Sequence, residues 1–336
     1  MTAVLRRIAY SLLTPAVLGI AVLSFARSLW PLVPRATMLA PMAPQFAAAA
    51  LALGLAALLM RRGGLAALAG LALWWNLLPI WPDIFPDRRA EADMPSSLTV
   101  LSFNLWYRNG DIARTADALA ASGAEVIGLV EATPRLKAGL AKLGAAYPYS
   151  IDCVGRSPAC QTMLLSKYPL KDGYAGPIDG RFPHVAIATV EKPGSAPVTV
   201  AVTHLSWPFA TRMRPPLVAT ALDRPDPELA DVPSLQQSVQ AANLAAFLAQ
   251  QPADLVLMGD FNAASWSPLL VALRAATGLE EHRRLRPSWP SWAWPVFRLP
   301  IDHVLARGKA RVIDTELGPP IGSDHLPIEA RIAVAP

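Results

Sequence analysis

Three short motifs near the carboxyl end concentrate the chemistry of this chain: Met258-Gly259-Asp260-Phe261-Asn262, Ile301-Asp302-His303 and Gly322-Ser323-Asp324-His325. Upstream, Asn104, Glu131 and His204 likewise close apolar, strand-like runs. Carboxylates bind divalent cations, amides and imidazoles meet phosphate oxygens, and attack by water needs a base held by a second acid. All three requirements are met by six strand ends, the inventory of metal-assisted phosphoester hydrolysis. Singly, each of these residues reads as an ordinary turn or strand-end residue; their co-occurrence in this order carries the reading.

The elements that must position them begin at Leu98. Leu98 to Phe103, Val126 to Val130, Thr162 to Ser166, Val185 to Val190, Val198 to Thr203, Leu255 to Met258, Ile301 to Leu305, Ala310 to Thr315 and Pro327 to Ile332 read as strands. Asp111 is placed to cap a helix reaching about Ser122, and further helices fit Ser234 to Ala249 and Ser267 to Ala276. The result is a mixed α/β domain over residues 98–336. Trp207 to Pro233 is proline-rich without a period and reads as a long surface loop after His204. Pro287 to Pro300 interleaves Trp289, Trp292 and Trp294 with prolines, consistent with an aromatic wall, a membrane-facing lip or plain loop packing.

The 336 residues are 53% hydrophobic and only 16% charged, too apolar for one ordinary soluble domain. The excess lies in residues 1–82, where Ile8 to Ala26, Ala36 to Met60 and Gly63 to Pro82 carry no charge. Each approaches or exceeds the roughly 20 residues that cross a bilayer, predicting three transmembrane helices. Pro15 predicts a kink in the first, and Pro41 and Pro44 predict that the second helix begins after them. A cleaved signal peptide is the alternative for the first segment, but two further apolar segments follow it. Arg6 and Arg7 before the first span and Arg61 and Arg62 between the second and third place those ends in the cytoplasm. Trp30, Trp74, Trp75 and Trp81 then fall toward the outer interface, and the large domain is extracytoplasmic, joined through a linker over residues 83–97.

The net charge of +5 divides unevenly. Residues 1–97 carry eight Arg against four acids, whereas residues 98–336 carry twenty-two Lys or Arg against twenty-one acids. The near-neutral domain argues against a dedicated duplex binder, and Arg283, Arg284 and Arg286 read as a solvated run. Cys153 and Cys160, seven positions apart, would pair in an oxidising compartment; two free structural thiols are the other reading, and no zinc pattern accompanies them.

From Leu98 to about Ile332 the chain resembles the endonuclease/exonuclease/phosphatase superfamily, which includes deoxyribonucleases, neutral sphingomyelinases and inositol polyphosphate phosphatases. Gly-Asp-Phe-Asn and Ser-Asp-His are the most specific motifs of that resemblance. It implies a four-layer α-β-β-α sandwich with Mg²⁺ or Mn²⁺ at one end. Carried across by residue, it implies metal binding by Glu131, with Asn104 and Asp324 joining or adjoining the site. Asp260 and Asn262 are similar to the pair that positions water and phosphate, and His325 to the catalytic imidazole held by Asp302, acting as a base or as a cation. His204 matches the imidazole of the deoxyribonuclease, sphingomyelinase and phosphatase branches, whereas abasic-site endonucleases tend to carry tyrosine there. One departure concerns the carboxylate partner of this histidine: Gln161 to Lys167 contains no acid, and Asp152 is the nearest.

His303 follows Asp302 on an apolar strand and should face the opposite way; His184 and His282 read as surface or packing residues. The chain is therefore expected to be a membrane-anchored, divalent-metal-dependent phosphoesterase whose partners are the lipid bilayer and a phosphoester substrate, a lipid headgroup, nucleic acid or small phosphoester. No protein partner is inferable. An extracytoplasmic nuclease and a non-catalytic membrane interaction protein on the same fold are the alternatives.

Overall fold

The computed structural model describes residues 3–85, 98–157, 160–178, 181–208 and 233–334. Most of the anticipated 83–97 linker and of the loop after Trp207 lies outside them. The chain divides into two compact units, Met1–Pro86 and Asp87–Pro336.

The first unit holds helices α1 (Ala3–Ala26), α2 (Ala43–Leu59) and α3 (Gly63–Ile84). Three segments, Tyr10–Leu29, Arg35–Leu59 and Gly63–Ile84, are long and apolar enough to cross a membrane. Pro15 sits inside α1, and Pro44 lies in the first turn of α2, where its missing N–H costs nothing; a 3₁₀ stretch, Pro34–Met42, precedes that turn. The helices meet through small side chains, Ala21, Ala50, Ala57, Ala69 and Ala72, while Leu12, Leu55, Leu59 and Leu71 stay exposed. Polar groups between them bond to each other. Asn76 Nδ2 donates to Ser24 Oγ at 2.7 Å and to Ala72 O at 2.8 Å.

The second unit contains β1 (Leu98–Asn104), α4 (Ile112–Ala121), β2 (Val126–Val130), α5 (Pro134–Gly139), β3 (Tyr149–Asp152), β4 (Met163–Ser166), β5 (Leu170–Ile178), β6 (Arg181–Val190) and β7 (Val198–His204). After these come α6 (Pro233–Ala249), β8 (Leu255–Asp260), α7 (Pro268–Thr277), β9 (Glu280–Glu281), β10 (Asp302–Arg307), β11 (Ala310–Leu317) and β12 (Ile328–Val334). Two six-stranded sheets result, ordered β11-β12-β1-β2-β4-β3 and β5-β6-β7-β8-β10-β9. Helix starts follow local chemistry: Asp111, Thr133 and Ser267 each accept a hydrogen bond from the first turn of α4, α5 and α7.

Strand alternation explains the layers. Val100, Val126, Val200, Val202, Val256, Met258 and Val304 fill the space between the sheets. Their sequence neighbours face outward. Leu101, Phe103, Ile127 and Leu129 pack with Leu119 of α4 and Leu136 of α5. Ala201, Leu255 and Leu257 pack with Leu244 and Leu248 of α6 and Leu270 and Leu273 of α7. Strands buried on both faces read as unbroken apolar runs, and the architecture is an α-β-β-α sandwich. Gly128 keeps the sheets close, because a Cβ there would lie 2.5 Å from Met258 Cε. Cys153 and Cys160 form a disulfide.

Candidate active site

The alternation that fills the core also builds the site. Val200 and Val202 point between the sheets, so His204 does; Val256 and Met258 lead the same way to Asp260, Val304 to Asp302 and Val100 to Asn104. The polar cluster is thus the end of the inter-sheet core. Register aligns it across the second sheet, where His204 pairs with Asp260 on the parallel β7–β8 ladder and Asp302 with Asp260 on the antiparallel β8–β10 ladder. From the first sheet, Asn104 lies opposite Val130, and Glu131 follows immediately.

Backbone geometry then turns these ends inward. Glu131 (φ 55°) and Asn262 (φ 50°), just past their strands, and Trp106 (φ 57°) adopt the left-handed conformation. Gly259, at φ 146°, must lack a side chain, since a Cβ would lie 1.9 Å from Thr203 O.

Hydrogen bonds fix the donors. Asn104 Nδ2 bridges Glu131 Oε1 at 3.1 Å and Asp260 Oδ2 at 3.0 Å, joining the two sheets. Trp106 N–H donates to Asn104 Oδ1 at 2.8 Å and Tyr107 N–H to Glu131 Oε2 at 3.0 Å. Asp260 Oδ1 accepts the Asn262 backbone N–H at 2.8 Å, while the Asn262 amide donates to Leu205 O at 2.8 Å and reaches His204 Nε2 at 3.2 Å. His325 Nδ1 meets Asp302 Oδ2 at 2.8 Å. Its Nε2 faces Asp260 Oδ2 at 3.7 Å, and His204 Nε2 approaches the same oxygen at 3.6 Å.

This burial shifts the titrating groups. Burial and the Asp302 charge push the Asp260 carboxyl up to about 6, against the pull of His325 and His204. Burial opposes charge on His325, but Asp302 and Asp260 prevail, with Asp324 adding to them, and raise it to about 10, so it is an imidazolium at neutral pH. Burial would raise Glu131, yet the imidazoles of His204 and His325 with the Tyr107 and Asn104 donors hold it below the usual range. Asp324 is raised by burial and by Glu131, partly offset by His325 and by the Trp289 indole.

The donor set fits a divalent cation. Four carboxylates, Glu131, Asp260, Asp302 and Asp324, face two imidazoles, an excess of negative charge that a buried site must neutralise. Asp324 Oδ1 is sealed from solvent without a hydrogen-bond donor, while its Oδ2 accepts Trp289 Nε1–H at 3.1 Å. Asp260, Asp302 and His325 also bring ligand-type atoms within 4.8 Å of one another. In that trio the Asp302 oxygen and His325 Nδ1 are bonded to each other, and both Glu131 oxygens accept, from Asn104 and Tyr107, whereas Asp324 Oδ1 has no donor.

All eight residues singled out in the sequence, Asn104, Glu131, His204, Asp260, Asn262, Asp302, Asp324 and His325, fall in this one cluster. Asp152 does not join it: both its oxygens accept from Lys137 Nζ at 2.8 Å, so Asn262 and Asp260 are the neighbours of His204. His303 faces the outer layer, edge-on to Phe261, and bonds Glu281 Oε2 at 3.1 Å and Ala263 O at 2.8 Å. His184 packs against Phe182, and burial takes it down to about 4.

Several positioning residues received no role from the sequence, although Ser323 stands within the Ser-Asp-His motif. Ser288, fully buried, donates to Asp302 Oδ2 at 2.5 Å, the oxygen that also takes His325 Nδ1. Ser323 Oγ donates to Asn104 O at 2.7 Å and accepts His325 N–H at 3.0 Å. Gln237 of α6 clasps Phe261 O and Asn262 O at 3.0 and 3.2 Å. Serines and glutamines are common in loops and helices, and only three-dimensional neighbours distinguish these three.

The second unit is thus an α-β-β-α sandwich with a His/Asp/Asn/Glu cluster at the end of its central core. The model of the Endonuclease/Exonuclease/phosphatase family matches residues 101–325, and the chain belongs to that family, as a hydrolase of phosphoester bonds. The same fold is seen in an endonuclease/exonuclease/phosphatase from Beutenbergia cavernae, 19% identical over 72% of each chain with a TM-score of 0.54. It recurs in one from Bacteroides vulgatus, 12% identical over 71% of this chain and 99% of that one, with a TM-score of 0.55. A mutant beta toxin from Staphylococcus aureus with bound magnesium ions is 17% identical over 70% and 99% of the two chains, with a TM-score of 0.50. No curated protein sequence matches this chain.

Proposed function

We propose that the chain is a membrane-anchored phosphoesterase dependent on Mg²⁺ or Mn²⁺, with residues 1–82 as its anchor and residues 98–336 as its catalytic domain. The N-terminus is cytoplasmic and the catalytic domain extracytoplasmic, following the placement of Arg6, Arg7, Arg61 and Arg62. The observation that carries the catalytic reading is Asp260. Its carboxylate is held by the Asn104 amide and the Asn262 N–H, and one oxygen faces two imidazoles at 3.6 and 3.7 Å.

In this reading Asp260 and Asn262 orient the attacking water, and Asp260 Oδ2 takes its proton as the bond to phosphorus forms. His325, charged and fixed by Asp302, presents an N–H to the non-bridging phosphoryl oxygens. His204, aligned by the Asn262 amide, faces the leaving oxygen. Glu131 and Asp324, with Asn104 beside them, would hold the cation; magnesium bound to the Staphylococcus aureus toxin of the same fold supports a divalent cation as the occupant. When bound, the cation neutralises charge developing on the phosphoryl group.

The substrate class is a phosphodiester or phosphomonoester near the membrane, where tethering raises its effective concentration. The detergent-solubilised full chain should be assayed against phospholipids, sphingomyelin, DNA, RNA and soluble phosphomonoesters, with Mg²⁺ or with chelator. Chelator-sensitive turnover of a lipid or small phosphoester supports the proposal. Turnover confined to polynucleotides would make it a nuclease, and turnover unaffected by chelator would refute metal dependence.

A further inference from the structure

Eleven consecutive residues, Pro287 to Phe297, carry no charge, and the catalytic machinery uses only the first few of them. Beyond Ser291 the chain makes a tip whose large side chains are left in solvent: Trp292 is 80% exposed, Trp294 79%, Phe297 66% and Val296 56%. The other large apolar side chains exposed among the described residues of this unit, Tyr149, Tyr174, Val239 and Val271, are 38 to 46% exposed and scattered. Four within six positions form a patch, and such patches mark contact surfaces.

The tip is held in shape. Trp289 and Leu299 exchange backbone bonds at its base, and Phe297 N–H donates to Trp294 O at 2.8 Å. Arg298 crosses beneath, its Nε donating to Ala293 O at 2.8 Å and its Nη2 to Ser291 O at 2.9 Å. The aromatic rings are therefore displayed by a bonded frame. The same frame touches the site, because Ser291 N–H donates to Asp324 O at 2.7 Å, Trp289 Nε1 to Asp324 Oδ2 at 3.1 Å and Ser288 to Asp302.

We propose that the Trp292–Phe297 tip docks on a lipid surface and so brings the active site to phosphoesters lying in that surface. The inference rests on the anchored reading above. Two observations select lipid as the occupant. Tryptophan is the residue favoured at the bilayer interface, where an apolar ring and a polar N–H meet headgroups. The same chain carries three helices long enough to span a bilayer, and twelve residues, 86–97, separate the described ends of the two units. Fully extended, a connection of that length spans at most about 45 Å, which would hold an anchored domain within that reach of the bilayer.

The test uses the full chain reconstituted in phosphatidylglycerol/phosphatidylcholine vesicles, with a nitroxide on Val296→Cys and, separately, on Leu55→Cys in α2 and Ala146→Cys on the domain surface. Collisions with oxygen and with a water-soluble nickel chelate are compared at each site. The proposal expects the Val296 label to favour oxygen, at a depth of about 5–10 Å, while the Ala146 label favours nickel. A lipid-buried Leu55 label with a Val296 label open to nickel would overturn the tip and leave the anchor intact. Both labels in water would remove the anchor, and the tip with it. A Val296 label shielded from both reagents would signal a protein contact, such as a second copy, and would also overturn it. Independently, Trp292→Ala with Trp294→Ala and Phe297→Ala should lower turnover of a vesicle-embedded phosphoester about tenfold relative to a soluble one; equal losses on both would contradict docking.

Discussion

Replacing Asp302 by asparagine keeps the size of the side chain and removes the charge that most strongly supports His325. In the wild type, burial alone would depress this imidazole; Asp302 leads the groups that instead hold it at about 10, well above its ordinary 6.5. At about 1.36 kcal/mol for each tenfold change in protonation, the net preference for the imidazolium after the cost of burial is about 5 kcal/mol, supplied by Asp302 together with Asp260 and Asp324. With asparagine at 302, burial persists and the leading counter-charge is gone, so His325 should titrate at or below neutral pH. Ser288 would also lose the charged acceptor of its hydroxyl. Because a cationic donor facing phosphate is supplied only by the protonated ring, turnover at pH 8 should fall about 100-fold or more. Part of that loss should return as the pH is lowered through the new imidazole pKa. The assay pairs ¹⁵N chemical shifts of His325 with a pH–rate profile. A variant ring that stays protonated to pH 9, or turnover at pH 8 within threefold of wild type, would refute the reasoning.

Ser288→Ala should lower turnover about tenfold with a small change in KM, the cost of one hydrogen bond to a charged group in a site whose geometry must hold; an unchanged rate would show that Asp302 needs no second donor. On the outer layer, Glu281→Gln leaves His303 and Arg274 without their shared carboxylate and should cost about 3–5 kcal/mol, read from denaturant unfolding. The wild-type pair also sets a pH window. Glu281 is depressed, burial being outweighed by His303, so its contribution holds above about 4.5 and is lost as pH falls through its lowered value. His303 is raised by Glu281 against burial, so its contribution is complete below about 6.5 and lost as pH rises through its raised value. Saturating Mg²⁺ should raise the thermal midpoint of wild type, by about 3 kcal/mol of stability at a hundredfold excess over Kd, and should do so far less in Glu131→Gln; equal shifts would place the cation elsewhere.

Much of this site was legible because it lies on strands whose alternation is strong. Val200-Ala201-Val202-Thr203-His204 and Val256-Leu257-Met258-Gly259-Asp260 are apolar on both faces, so their ends stand out as the first charged or imidazole groups after a buried run. The same alternation correctly turned His303 away from Asp302. What escaped were two of the edge strands and the shortest elements. β3 and β5 each close one sheet, and β5 carries Asp172, Gly173 and Pro177 with register shifts on either side. An edge strand buries little and tolerates proline, so it shows no apolar period to read. Short α5, begun by Thr133 and Pro134, and the two-residue β9 lack the length for one. Ser288, and the positioning role of Ser323 within its motif, escaped for another reason. Their importance comes from partners 14 and 219 residues away, which no local pattern records. The departure noted for His204 stands, with no carboxylate on β4; its neighbours are Asp260, at the end of β8, and Asn262, just past it.

The central claim is that this strand-end cluster hydrolyses phosphoesters, and Asp260→Asn tests it most directly. The variant is nearly isosteric and removes the charge that faces both imidazoles, although its amide oxygen can accept only one of the two bonds that Asn104 Nδ2 and the Asn262 N–H now donate. Turnover of the best wild-type substrate in Mg²⁺ should fall at least about 1,000-fold, with circular dichroism and the unfolding midpoint close to wild type. A folded Asp260→Asn protein that retains wild-type turnover would contradict the account.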